Sequence, residues 1–371
     1  MQTIYFDHAA TTPINQEVFD VLMAKTKEII GNPSSTHALG QKARVEIEQA
    51  RNTIAKLLGV SGSEIYFTSG ATEAINMIIR GVADSKKIDK IIVSSLEHHA
   101  VLHALQHLPF PISIEFVDHN QQGIIDLSHL DTLLTNSNQA FVIIMNVNNE
   151  IGNINPVEQI ASICKRHHAL FFSDMVQAVG KTVFSLANVD FASFSAHKFN
   201  GPKGVGFAFI RSGNKIEPLL YGGSQEQNMR AGTENLPAIV AMAKALTLVF
   251  EQFNENFNYL TSLKVQLVEK LKTNFPTISF HGTSEFDGVP NIINFTLPDF
   301  KDMEILHILL DINGVCISQG SACSSGSNQK SVVISALKNG SEQAIRISFG
   351  INNTITDINS FIEILKKIVY K

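Results

Sequence analysis

Ala169-Leu170-Phe171-Phe172-Ser173-Asp174 decides the fold. The run from Ala169 to Ser173 is too short and too uniformly apolar to be a surface helix, so it reads as a buried strand with a carboxylate at its end. Before it, Pro156 to His168 carries apolar residues at helical spacing, and before that Ala140 to Asn146 is a second apolar run of strand length. A strand, an amphipathic helix and another strand make the repeating unit of a parallel sheet. The same alternation runs outward from about Glu17 to Lys215, with Lys90 to Ser94 as another strand and Gly40 to Leu58 and Ala71 to Val82 as helices. From roughly Phe250 the pattern changes. A long helix, two short strands around Ile278 and Ile292, a helix near Met303 to Ile312 and a last helix, Ile355 to Val369, predict a second, α+β part. No internal repeat, low-complexity tract or long linker separates the two.

A chain of 371 residues with 44% apolar side chains can bury a core large enough for one big domain and a smaller one. Its 29 basic and 34 acidic residues give a net charge of -5. Neither sign forms a run that would track phosphates or a lipid surface, so nucleic acid and membrane are poor partners. The first twenty residues lack a basic stretch followed by an apolar run, and no apolar stretch approaches the ~18 residues that span a bilayer. The expectation is a soluble, unexported, cytoplasmic protein. Cys164, Cys316 and Cys323 are the 3 cysteines, without C-x-x-C spacing. That excludes a disulfide framework or a thiolate zinc site and fits a reducing compartment.

Polar residues follow several strands, where an open α/β sheet places its ligands. Thr68-Ser69-Gly70-Ala71-Thr72-Glu73 comes after the strand-like Ile65-Tyr66-Phe67 and opens a helix, whose free N–H groups and positive dipole end suit a phosphate. The alternative is that Thr68 and Ser69 merely cap that helix. It is not a Walker loop, because G-x-x-x-x-G-K-[ST] is missing from the chain. Asp174, with Gln177, can hold a pyridinium nitrogen protonated, as a pyridoxal 5′-phosphate (PLP) enzyme requires, or can cap the next segment. Ser195-Ala196-His197-Lys198 ends the run Val189 to Phe194, and a lysine there is placed to form a Schiff base. Phosphate loop, strand-end aspartate and strand-end lysine, in that order in one domain, favour the PLP reading. Cys323 sits among glycines and small polar residues from Ser318 to Ser327, a setting that predicts an exposed, reactive thiol, whereas Cys164 and Cys316 have the neighbours of inert ones. A rival reading takes His99, His103 and His107, at four-residue spacing, as ligands on one helix face, although a solvated histidine stripe is commoner. His98 comes at a turn after a strand and can lie over a planar ring.

Taken together these residues resemble the NifS/IscS-like cysteine desulfurases, in the class V aminotransferase group of fold-type I PLP enzymes. The resemblance covers nearly the whole chain. It runs through Tyr5 to Thr12, Gly31-Asn32-Pro33-Ser34-Ser35 with His37, Gly70 to Glu73, Glu97-His98, Asn148 to Gly152, Asp174 with Gln177, and Ser195 to Lys198. It continues through Arg230-Ala231-Gly232-Thr233-Glu234-Asn235, Gly320 to Cys323 and Ile345 to Ser348.

The resemblance implies a mostly parallel seven-stranded sheet flanked by helices. Residues 15-255 would form the large PLP-binding domain. Residues 1-14 and 256-371 would form the small domain carrying the cysteine loop, about 318-330. Lys198 would hold the cofactor, Asp174 would pair with its ring nitrogen, and Gln177 and Asn149 would bond the ring and its neighbourhood. His98 would stack on the ring, while Ala71, Thr72, Ser195 and His197 would bind the phosphate, with Thr233 reaching in from the second subunit of a homodimer. Arg346, with Asn32 and Asn149, would bind the substrate, L-cysteine. Cys323 would take its sulfur as a persulfide, leaving alanine, and pass it to an acceptor protein such as an iron–sulfur scaffold. A related lyase acting on selenocysteine is the alternative, and the histidine metal site the distant one. The chain departs from the family pattern at Gln227-Asn228-Met229, at Gln319 and from Ser327 to Lys330, which bears on how a partner subunit's loop meets the phosphate and how the Cys323 loop moves.

Overall fold

The computed structural model describes residues 3–85, 88–135, 137, 139–319, 331–337 and 343–370. Of the cysteine loop, residues 320–330, Cys323 among them, lie outside the described residues. Strand β1 is Ile4–Tyr5. The main sheet is then built from β2 (Ile65–Thr68), β3 (Lys90–Ser94), β4 (Ser113–Val117), β5 (Ala140–Ile143), β6 (Leu170–Asp174), β7 (Phe191–Ser195) and β8 (Gly206–Ile210). It has 7 strands in the order β2-β8-β7-β6-β5-β3-β4. The pairs among β4, β3, β5, β6 and β7 are parallel, and β8 runs antiparallel to both β7 and β2.

The central strands are apolar on both sides because helices cover both faces. Phe171, Phe194 and Phe207 belong to one apolar layer, against the helices Ala38–Leu58, Val157–Arg166 and Leu236–Glu251, while Phe141, Phe172 and Phe191 belong to the other, against Ala71–Ser85 and His99–Gln106. The strand–helix–strand reading of Ala140 to Ser173 is what folds here, with the helix ending at Arg166 and the chain turning through His168 at φ 54°.

A second sheet of 3 strands has the order β12-β10-β9, from β9 (Ser279–Phe280), β10 (Ile292–Thr296) and β12 (Ile345–Ser348). It has its own apolar core with the helices Phe253–Asn274, Leu306–Ile312 and Ile355–Val369. Strand β1 pairs in parallel with β11 (Val315–Cys316) beside this core. The chain then runs from β1 across to the main sheet, where Thr12 N donates to the carbonyl of His197 at 2.8 Å. Among the described residues no single helix is long and apolar enough to cross a membrane.

Candidate active site

A cavity of about 460 Å³ opens beyond the carboxyl ends of the parallel strands, between the main sheet and the segment that follows β1. Strand β7 delivers Ser195 and, through one tight turn, His197 and Lys198. The Lys198 ammonium donates to the carbonyls of Ala9 at 2.6 Å and Ala10 at 2.9 Å, which aims it along the cavity wall. Strand β6 ends on Asp174, a buried carboxylate whose Oδ1 accepts from Val176 N and from Ser193 Oγ, both at 3.0 Å. Burial raises its affinity for a proton, against these bonds and the charge of Lys198. Both bonds reach Oδ1, so Oδ2 is left for a donor inside the cavity. The alternative reading of Asp174 as a cap is also realised, since the bond to Val176 N is a local turn.

His98 comes from the turn after β3 and caps the helix His99–Gln106, its Nδ1 accepting from Ala100 N at 3.1 Å. That bond leaves the proton of the neutral ring on Nε2. Burial, then the Lys198 charge, lowers its pKa to about 4. His197 is likewise lowered to about 4, by burial and then by Lys198, and its Nδ1 lies 3.2 Å from Thr11 Oγ1. Both rings are neutral at pH 7, as suits stacking and hydrogen bonding more than ion pairing.

The helix Ala71–Ser85 points its N-terminus at the cavity. Its first turn is not capped by Thr68 or Ser69. Thr68 Oγ1 donates to the carbonyl of Gly70, and Ser69 N donates to Glu73, so the free N–H groups of the first turn face the cavity. Glu73 is in turn held by Arg230, Nε to Oε1 at 2.8 Å, which keeps its carboxyl below the ordinary range despite burial. Strand β8 passes closely beneath this turn because residue 206 is glycine: a Cβ there would come within 2.8 Å of Gly70 Cα.

These groups fit PLP. Free N–H groups at a helix N-terminus match a phosphate, the buried Asp174 with its uncommitted Oδ2 matches a protonated ring nitrogen, and Lys198 matches the aldehyde. All three lie on one cavity with Ala71, Thr72, His98, Asn149, Gln177, Ser195 and His197.

Asn32 and Thr233 are exposed and do not line the cavity of this single chain. The Asn32 carboxamide is spent on a local turn, accepting from Ser34 N at 2.9 Å. Arg346 does line the cavity, at 1% exposure, but its guanidinium is already engaged: Nη2 meets Asp7 Oδ1 at 2.8 Å and Nη1 donates to the carbonyl of Asn149 at 2.9 Å. Any substrate carboxylate must share it with Asp7. Of the rival histidines, His99 and His103 lie with ring centroids 5.2 Å apart and planes tilted by 38°, while His107 turns back onto the carbonyl of His103. Among the described residues no group of three or more His, Cys, Asp or Glu is placed to hold a metal. Burial raises the thiol pKa of both Cys164 and Cys316.

Sequence reasoning gave no role to Asp7, Glu97 and Lys181. Asp7 and Glu97 stood inside quoted motifs, whereas Lys181 stood in none. Glu97 is buried behind the site, its Oε1 accepting from Met145 N at 2.7 Å, and burial pushes its carboxyl well above the usual range.

The aminotransferase class-V family model matches residues 4–361. The cysteine desulfurase IscS of Dictyoglomus turgidum is 41% identical over 99% of this chain and 95% of its own. A solved NifS-like protein superposes with a TM-score of 0.91 at 35% identity, covering 100% of both chains. A structure of SspA in complex with cysteine superposes at 0.79 with 30% identity, covering 95% of this chain and 100% of that one. The cavity chemistry and these likenesses agree, and the chain belongs to the class-V aminotransferase family, in the company of the IscS and NifS-like proteins.

Proposed function

We propose that this protein is a PLP-dependent cysteine desulfurase, which takes sulfur from L-cysteine, releases alanine and carries the sulfur on Cys323. The observation that carries the reading is the convergence of Lys198, Asp174 and the N-terminus of the helix Ala71–Ser85 on one cavity. When bound, PLP supplies an electron sink for the pair left as the Cα–H bond of the amino acid breaks. Lys198 Nζ holds the cofactor and, once exchanged for substrate, takes the Cα proton. Asp174 keeps the ring nitrogen protonated, Gln177 and Asn149 bond the ring and its surroundings, and the neutral His98 covers it. Ala71, Thr72, Ser195 and His197 hold the phosphate. Arg346 binds the substrate carboxylate bidentately, which requires Asp7 to yield part of its hold, and Asn149 lines that end of the site, whereas Asn32, outside the cavity of the single chain, reaches it only if its local turn rearranges.

Cys323, as thiolate, attacks the substrate sulfur: an S–S bond forms as the C–S bond breaks, and that electron pair stays with the alanine skeleton. The residues 15-255 then act as the cofactor-binding domain, and 1-14 with 256-371 as the smaller domain carrying the cysteine loop. The enzyme acts as a homodimer in which Thr233 of one copy completes the phosphate site of the other. Exposed Leu220 and Tyr221, 41% and 78% accessible in the same loop region, support a protein contact there. A cytoplasmic iron–sulfur scaffold is the acceptor of the sulfur.

The test is an assay of alanine and sulfide together, with L-cysteine and a thiol reductant. Equal yields that vanish in Cys323→Ser, while the cofactor spectrum persists, support the reading. A PLP-loaded protein that turns over selenocysteine alone, or whose turnover survives Cys323→Ser, overturns it.

A further inference from the structure

Behind Lys198 lies a second lysine that the proposed chemistry does not use. Lys181 is 6% exposed and donates to Gln177 Oε1 at 2.9 Å and to the main-chain carbonyl of Lys198 at 3.3 Å. Both acceptors are neutral oxygens. The charge of Lys198 acts on it, His8 and His197 are lowered by it, and all three of these neighbours are basic. Burial and the Lys198 charge depress its own pKa to about 7. A buried ammonium without an acid is costly, so the position has a use other than ion pairing.

An ammonium has donors only, whereas a carboxamide has an oxygen on one side and an NH₂ on the other. Lys181 therefore dictates which way Gln177 faces. With Oε1 taken, Nε2 turns to the carbonyl of Ala9 at 2.9 Å, the same oxygen that holds Lys198, and one amide hydrogen remains for the cavity that Gln177 lines.

We propose that Lys181 is a positioning residue: it locks the Gln177 carboxamide with its NH₂ toward the cavity, as donor to the ring oxygen of bound PLP, and tethers the main chain at Lys198. This rests on the reading of Lys198 as the PLP lysine. A donor to an anionic ring oxygen weakens that oxygen's hold on the neighbouring proton of the lysine linkage, so the linkage loses its proton at lower pH. Without Lys181 only the Ala9 carbonyl still orients the amide, and the lock on its direction is loosened.

The test is a pH titration of the visible band of the PLP-loaded enzyme, in wild type, Lys181→Met, Gln177→Leu and the double variant. Borohydride reduction followed by a mass measurement on Lys198 comes first, and its failure would count against the PLP reading itself. Given that linkage, Lys181→Met raises the midpoint by about one pH unit, the scale of one charge-assisted hydrogen bond. Gln177→Leu raises it similarly, and in the double variant Lys181→Met adds only the smaller shift that loss of its charge near Lys198 causes directly. If Lys181→Met does not fold, Lys181→Gln still offers an amide donor to Gln177 Oε1 and keeps the midpoint near wild type. An unchanged midpoint in Lys181→Met, a shift repeated in full on Gln177→Leu, or a Lys181→Gln variant displaced by one unit overturns the proposal.

Discussion

Two histidines away from the reacting centre make the protein's acid sensitivity calculable. His8, at 3% exposure, is held at a pKa of about 4 by burial and then by Lys181. His281, fully buried, is held at about 4 by burial alone. Unfolded histidine titrates near ~6.5, so between the two values the unfolded chain binds more protons, and stability falls as pH drops from ~6.5 toward 4. Each ring contributes about 1–2 kcal/mol of that loss between pH 7 and pH 5. Denaturant unfolding at the two pH values measures it, and His281→Gln should remove one such share from the difference. At this scale the sequence was readable where a residue closed a recognisable strand, as Asp174 and Lys198 do. Lys181 was not, because a lysine after Gly180 looks like any solvated charge until the fold shows it buried on a second, smaller cavity that shares Lys198 with the site.

The loop before Arg230 shows what an element stores. Glu226, Gln227 and Asn228 follow one another at φ 46°, 56° and 69°, a left-handed turn made without glycine. Such residues cost about 1 kcal/mol each, and the turn is held by a buried fork: Arg51 meets Glu226 with Nη1 and Nη2 at 2.8 Å, and Phe67 N donates to the same carboxylate at 2.7 Å. Arg51 also lies 4.5 Å over the Phe67 ring. Glu226→Gln should therefore cost about 3 kcal/mol, because it takes the buried carboxylate from Arg51, which keeps the half-exposed Glu48 at 3.2 Å and the carbonyl of Ile65. Gln227→Gly should gain about 1 kcal/mol by relieving the turn. Chemical denaturation of both variants checks the two signs. The strands and long helices were legible because apolar spacing reports a buried face directly. This turn was not, since Glu and Gln carry no left-handed signal and the single Asn228 only a weak one, and the ion pair that pins it spans 175 residues of sequence.

For the molecule as a whole, the site stands where two cores meet and is closed by the segment between Asp7 and Thr12. Its residues reach both ways. His8 N donates to the carbonyl of Ser348 at 3.1 Å, Ala9 N to Ser348 Oγ at 2.8 Å, and Thr12 to the turn before Lys198. A chain ending before Ile345 should thus fail to retain PLP although every cofactor-contacting residue before β12 is present, and absorbance after gel filtration measures that retention. The main sheet was predictable from strand and helix alternation. The place of the first dozen residues was not legible from spacing, because β1 is only two residues long and its partner lies at Val315–Cys316, and only the family resemblance set residues 1-14 beside 256-371.

That pairing of beginning with end has a consequence for synthesis. Ile4 to Phe6 can find no resting place until the stretch from Val315 to Ser348 has left the ribosome, since Ile4 aligns with Val315 and Phe6 exchanges hydrogen bonds with Cys316 and Ser348. The nascent main sheet must wait with its catalytic edge uncovered. Contacts of such long sequence separation form slowly. Emergence of the stretch from Val315 to Ser348, rather than growth of the sheet, therefore sets the moment at which the enzyme becomes competent to take up its cofactor.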